Sequence, residues 1–88
     1  MDYYLHRYVL EQRAGEVFDK YPDTWLNSKH IRQLVYRMEV GDEYRISSAM
    51  KESMTARLRS ALRRMESQGK VRSQPSSASG HTLEWRKA

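Results

Sequence analysis

Between Ala49 and Gln68 the apolar residues Met54, Leu58, Ala61, Leu62 and Met65 recur at i, i+4, i+7, i+8 and i+11, and Gly69 ends the run. That spacing lays one apolar stripe along a helix, and a glycine just past the stripe is a natural left-handed stop. The spacing therefore predicts a helix over 49–68 that the rest of the chain must cover along one side. At roughly 100° per residue, the centre of the opposite face carries Ala56, Arg59, Ser60, Arg63 and Ser67. Thr55 falls on one shoulder of that face, and Ser53, Arg57 and Arg64 fall on the other. The predicted helix is apolar on one side and small, polar and cationic on the other.

The covering has to come from few residues, because 88 residues make room for one core only. Asp2 can cap a first helix that runs to about Lys20, with Tyr4, Leu5, Tyr8 and Val9 as one stripe and Ala14, Val17, Phe18 and Tyr21 as another. The stripes are offset across Gly15, which predicts either a bend or a helix apolar on two sides. In the second case one side packs on the core, and Tyr3, Tyr4 and Tyr8 offer a surface for self-association as a homodimer. Pro22 and Asp23 stop this helix. Asn27 or Ser28 is a good cap for a second helix from Lys29 to about Met38, whose Ile31, Leu34, Val35 and Met38 fall at i, i+3, i+4 and i+7. Gly41-Asp42 is a turn signal, Tyr44-Arg45-Ile46 suits a short extended piece, and Ser47 or Ser48 can cap the helix that follows.

After Gly69 the texture changes. Lys70 to Gln74 and His81 to Trp85 suit two short strands, and Pro75 to Gly80 between them has the composition of a flexible loop. Alternation puts Leu83 and Trp85 on one face, where they can meet Val71, and points Thr82 and Glu84 to water. The expected fold class is mainly α with a small β-hairpin. One domain is expected over 1–88, divided into an N-terminal helix at 1–21, a helical pair at 27–69 and a hairpin at 70–86.

The formal charge of +5 is unevenly spread. Residues 1–43 hold six Lys/Arg against eight Asp/Glu, whereas residues 44–88 hold ten against three. A basic C-terminal half points to an anionic partner, of which nucleic acid is the commonest. The chain has no cysteine, which rules out disulfides and thiolate-bound metals and fits a reducing, cytoplasmic setting. Asp2, Glu11, Glu16 and Asp19 interrupt the first residues, and no run approaches the roughly 20 apolar residues of a membrane span, so neither a signal peptide nor a membrane helix is expected. His6, His30 and His81 lie in different elements without metal-ligand spacing, and Asp19 with Asp23 reads as a helix-end turn. No phosphate-cradling glycine loop or nucleophile signature is present, so neither enzymatic activity nor a cofactor or metal is expected.

The order helix, helix, basic amphipathic helix, glycine, strand, loop, strand resembles the C-terminal layout of winged helix-turn-helix domains. The segment from Leu58 to Val71 is similar to the end of that family's recognition helix and the start of its wing, with Ala61, Leu62, Met65, Glu66, Gly69 and Val71 in the corresponding places. The likeness covers roughly 27–86. It departs at 39–47, where the family usually has a tight turn. The resemblance implies a winged helix-turn-helix of three helices plus a C-terminal wing, binding double-stranded DNA as a small transcriptional regulator or accessory factor, similar to those of phages and plasmids.

An exposed helix fits the major groove, where Arg can pair bidentately with guanine and Ser or Thr can reach base edges. Arg59, Arg63, Ser60 and Thr55 are the expected readers, with Arg57 beside them, and Lys51 and Ser53 near the helix start would meet phosphate. Arg72 and the loop to His81 would form the wing, and Arg86 and Lys87 would add unspecific attraction. The competing expectation is a protein-binding adaptor or inhibitor on the same fold, for which Met38, Met50, Met54 and Met65 are the argument. RNA is less expected, because the aromatic residues form no stacking platform along a strand.

Overall fold

The computed structural model describes residues 7–41, 47–76 and 82–88. They form α1 (Arg7–Lys20), β1 (Leu26–Asn27), α2 (Ser28–Val40), α3 (Ser48–Ser67), β2 (Val71–Pro75) and β3 (Leu83–Lys87). The architecture is mainly helical, with three helices and a small three-stranded antiparallel sheet of order β1-β3-β2 among the described residues. The Asp2 cap, Tyr3, Tyr4, His6, the extended piece at 44–46 and His81 lie outside the described residues.

Helix α3 follows its stripe. Ser47 caps it by accepting the Met50 N–H at 3.1 Å. Met54, Leu58, Ala61, Leu62 and Met65 are all buried. At the far end the Gly69 N–H reaches the Glu66 carbonyl at 3.0 Å and the Lys70 N–H reaches the Met65 carbonyl at 2.9 Å. These are the two bonds of a Schellman stop, and Gly69 supplies the positive φ of 76° that it needs. The Glu66 carboxylate then accepts the Ser73 N–H and hydroxyl, each at 2.9 Å, so β2 is fixed to the end of α3.

The other helices cover α3 with faces that agree only in part with those expected. In α1 the buried stripe is Leu10, Ala14, Val17 and Phe18, whereas Tyr8 is 62% exposed. Asn27 caps α2 by accepting the His30 N–H at 2.7 Å. The buried face of α2 is Ile31, Arg32, Val35 and Tyr36, while Leu34 is half-buried and Met38 is 43% exposed. Of the expected stripe, Ile31 and Val35 are buried and Leu34 packs against the core, so Met38 alone is corrected; Tyr36 and Arg32 are buried in addition, Arg32 against Thr55 of α3.

The hairpin gains a third strand that was not expected. Leu26 lies opposite Trp85 on one side of β3, and Ser73 lies opposite Trp85 on the other. Trp85 and Val71 are both buried, but Val71 is opposite Lys87, one diagonal step away. Leu83, expected in the core, is exposed at the end of the ladder opposite Pro75. Glu84, expected in water, is half-buried between Asn27 and Gln74, because β1 covers its other side.

Ion pairs join the acidic and basic halves of the chain. Glu11 accepts from Arg64 at 2.7 Å, Asp19 from Lys87 at 2.8 Å and Asp23 from Arg86 at 3.1 Å. Arg13 bridges Glu16 and, across to α2, Glu39, and these two carboxylates hold its guanidinium above the ordinary pKa range. Among the described residues no helix is long and apolar enough to cross a membrane.

Gly15 sits inside α1 without a positive φ, and a Cβ there would meet nothing within 4 Å. A helical glycine costs about 0.5–1 kcal/mol relative to alanine. Gly15→Ala should therefore stabilise the fold, raising the thermal midpoint by roughly 2–8 °C in a melt followed by circular dichroism. An unchanged or lowered midpoint would mean that this glycine serves a contact or a bend that the described residues do not contain.

Candidate nucleic-acid interface

The outward arc of α3 carries Lys51, Ala56, Arg59, Ser60, Arg63 and Ser67, all exposed. Arg59 and Arg63 lie one turn apart, roughly 6 Å along the axis. Among the described residues no carboxylate pairs with Lys51, Arg59 or Arg63.

Beside this arc the chain is concave. One cleft of about 430 Å³ lies between the start of α2, α3 and β3, and Lys29, Arg59, Arg63 and Leu83 help to line it. A second, of about 490 Å³, continues from it between α2 and the first turns of α3, past Arg32, Lys51 and Glu52. Lys29, Thr55 and Arg59 line both. The start of α2 borders the first cleft through Asn27 and Ser28, so the partial positive charge of the helix N-terminus adds to the cations there. Among the described residues this surface is lined by Lys29, Lys51, Arg59 and Arg63, with the buried Arg32 behind them, and by one carboxylate, that of Glu52. The described part of this surface is concave and mainly cationic along α3.

Of the residues expected at the site, the fold brings Lys51, Arg59, Ser60 and Arg63 onto this surface. The Ser60 hydroxyl donates to the Ala56 carbonyl at 3.3 Å. Ser53 is half-buried. Thr55 is a correction, because it is buried rather than exposed: its hydroxyl donates to the Lys51 carbonyl at 2.8 Å and accepts from Arg32 Nη1 at 3.2 Å. It links α2 to α3. Arg57 is half-buried, two turns before the Arg64 that pairs with Glu11. Arg72 is exposed on the outer face of the sheet, its guanidinium 5.6 Å from the Trp25 ring centre, while its neighbour Val71 faces the core. Strand alternation thus separates Arg72 from Arg59 and Arg63.

Lys29 and Arg32 were missed in the sequence, where they read as ordinary members of a short amphipathic helix. The cap at Asn27 with a lysine two residues on was the available signal for Lys29. Nothing in the spacing foretold that Arg32 would be only 6% exposed. Among the described residues no group of three or more His, Asp or Glu could hold a metal ion. The methionines are mostly internal: Met54 and Met65 are buried and Met50 packs against the core. In comparisons with known proteins, no family model and no curated protein matches the sequence.

Arg32 and Thr55 form a buried pair whose loss should be asymmetric. Thr55→Val leaves the guanidinium short of an acceptor in the interior and should cost about 1–3 kcal/mol in urea unfolding. Replacing both residues, as Arg32→Met with Thr55→Val, should recover part of that loss, because both unsatisfied groups then disappear. A double variant as unstable as the sum of the two singles would show that the pair is not coupled.

Proposed function

We propose that the chain is a winged helix-turn-helix protein that binds double-stranded DNA, with α3 in the major groove and the start of α2 on the backbone. It acts as a small transcriptional regulator or accessory factor, without catalysis. The observation that carries this reading is the pair Arg59 and Arg63, exposed one turn apart on α3 without a carboxylate partner among the described residues, beside Lys29 and Lys51. Support for the fold comes from the order α1, α2, α3, Gly69, β2, β3, which is the layout in which the sequence resembles that family.

The chemistry follows from the positions. B-DNA's major groove is wide enough for a helix, and an arginine there can donate two hydrogen bonds to the O6 and N7 of one guanine. Arg59 and Arg63 take that role, with Ser60 between them. Lys29, Lys51 and the N–H groups that begin α2 take phosphates, which set register and supply affinity without reading sequence. The buried methionines give little support to the adaptor reading, since Met38 alone of the four considered is largely exposed.

Each phosphate neutralised steepens the fall of log affinity with log salt by about 0.9. A labelled random-sequence duplex titrated at several salt concentrations should bind and weaken steeply as salt rises. Arg59→Ala with Arg63→Ala should cost roughly 2–6 kcal/mol on a selected site, from about 1–3 for each arginine, and should loosen base preference. Lys29→Ala with Lys51→Ala should weaken all sequences alike and flatten the salt slope by about 2. Absence of binding at low salt, where even unspecific attraction registers, would sink this reading.

A further inference from the structure

A second cationic surface lies on the opposite side of the sheet. Arg72 of β2 stands directly across from Arg86 of β3. Leu26 is opposite Trp85, so Trp25 continues the same row beside Arg86. The two guanidinium carbons lie 5.6 and 5.9 Å from the Trp25 ring centre. Like charges directly opposed across a ladder are unfavourable, and here the indole face and one carboxylate offset the repulsion. That carboxylate serves Arg86 alone: Arg86 donates to Asp23 at 3.1 Å and to the Pro22 carbonyl at 3.5 Å. Arg72 has no carboxylate partner among the described residues. It is held against a half-buried indole and lacks an anion to meet its N–H edge.

We propose that this outer face is a docking surface for an acidic segment of a partner protein, anchored on Trp25 and Arg72. A carboxylate of the partner pairs bidentately with Arg72, and an apolar side chain beside it covers the indole. Tryptophan and arginine are the residue types that most often carry the affinity of protein interfaces. The local charge argues against a nucleic-acid occupant. Asp23, 89% exposed, pairs with Arg86, and Glu84 stands in the neighbouring row on the same face. A duplex, with one negative charge per roughly 1.7 Å of axis, would have to press phosphates against these carboxylates. A peptide with a few acidic side chains can avoid them.

The partner lies on the face of the sheet and does not extend its edge. Glu66 occupies the Ser73 N–H, and Pro75 has none to offer, so β2 is a poor template for a further strand. This surface is independent of the DNA reading, because the clefts along α3 and the Trp25 row lie on opposite faces of the sheet.

The test uses the full chain, a fluorescein-labelled glutamate-rich peptide with phenylalanine at its centre, and a control peptide with glutamine for glutamate. Fluorescence anisotropy should give at least about tenfold tighter binding of the acidic peptide than of the control. Arg72→Gln and Trp25→Ala should each weaken it by about tenfold or more, while Arg59→Ala with Arg63→Ala should change it by less than about twofold. Arg72→Gln alters an exposed side chain, so it keeps the test decisive if Trp25→Ala fails to fold. Equal binding of both peptides, or acidic binding that Arg72→Gln leaves intact, overturns the proposal. A short duplex whose binding falls as much in Arg72→Gln as in the Arg59 and Arg63 variant assigns the face to nucleic acid and overturns it as well. Failure of duplex binding alone bears only on the DNA reading.

Discussion

The rest of the structure depends on the burial of one side of α3. Met54, Leu58, Ala61, Leu62 and Met65 are sealed by α1 and α2 along the helix and by Val71 and Trp85 at its end. A large apolar side chain gains about 1.5–3 kcal/mol by leaving water, so a stripe of this length cannot be left bare in a chain with one core. Covering it determines where the other elements go. It also leaves the arc of Arg59, Ser60 and Arg63 no place except solvent. The cationic face of α3 is therefore the geometric remainder of the core.

Electrostatics sharpen that remainder. Glu11, Asp19 and Asp23 from the acidic half draw Arg64, Lys87 and Arg86 of the basic half into ion pairs. Exposed pairs of this kind contribute only about 0–1 kcal/mol each, so they do not decide stability. They do decide which cations remain uncompensated. Among the described residues Lys51, Arg59 and Arg63 stay without a carboxylate along α3, where Lys29 joins them from α2, and Arg72 does so on the outer face of the sheet. A charge asymmetry along the chain becomes a charge asymmetry across the fold, which is the form in which it can steer a polyanion.

The legible and illegible parts divide on physical lines. Helix α3 was readable because a single stripe, two cap serines and Gly69 agree on its span, and its outward residues follow from the same periodicity. The buried face of α2 was not, because Arg32 and Tyr36 are amphipathic residues that a hydrophobic pattern does not score as core, yet both are buried. Strand β1 is two residues long, too short for any period, and exists only because Leu26 finds Trp85. Thr55 was misread for a related reason: at one shoulder of the helix, a small rotation toward α2 takes it from solvent to interior. The separation of Arg72 from Arg59 was legible in principle. Once Val71 and Trp85 are given to the core, alternation alone sends Arg72 and Arg86 to the other side.

That separation is also enforced. A slip of one residue in β2 would turn Val71 outward and drive the Arg72 guanidinium toward the helices, exchanging an apolar contact for an unpaired buried charge. Two features oppose it from different directions. Glu66 accepts both the N–H and the hydroxyl of Ser73, which fixes β2 against α3, and Trp85 is held by neighbours on both sides of β3, which fixes the partner strand. The register that completes the core is thus the same register that assigns the hairpin's cations to the outer face and leaves the cleft to α2 and α3. For this chain, the positions of its two cationic surfaces are a consequence of how the sheet closes its core.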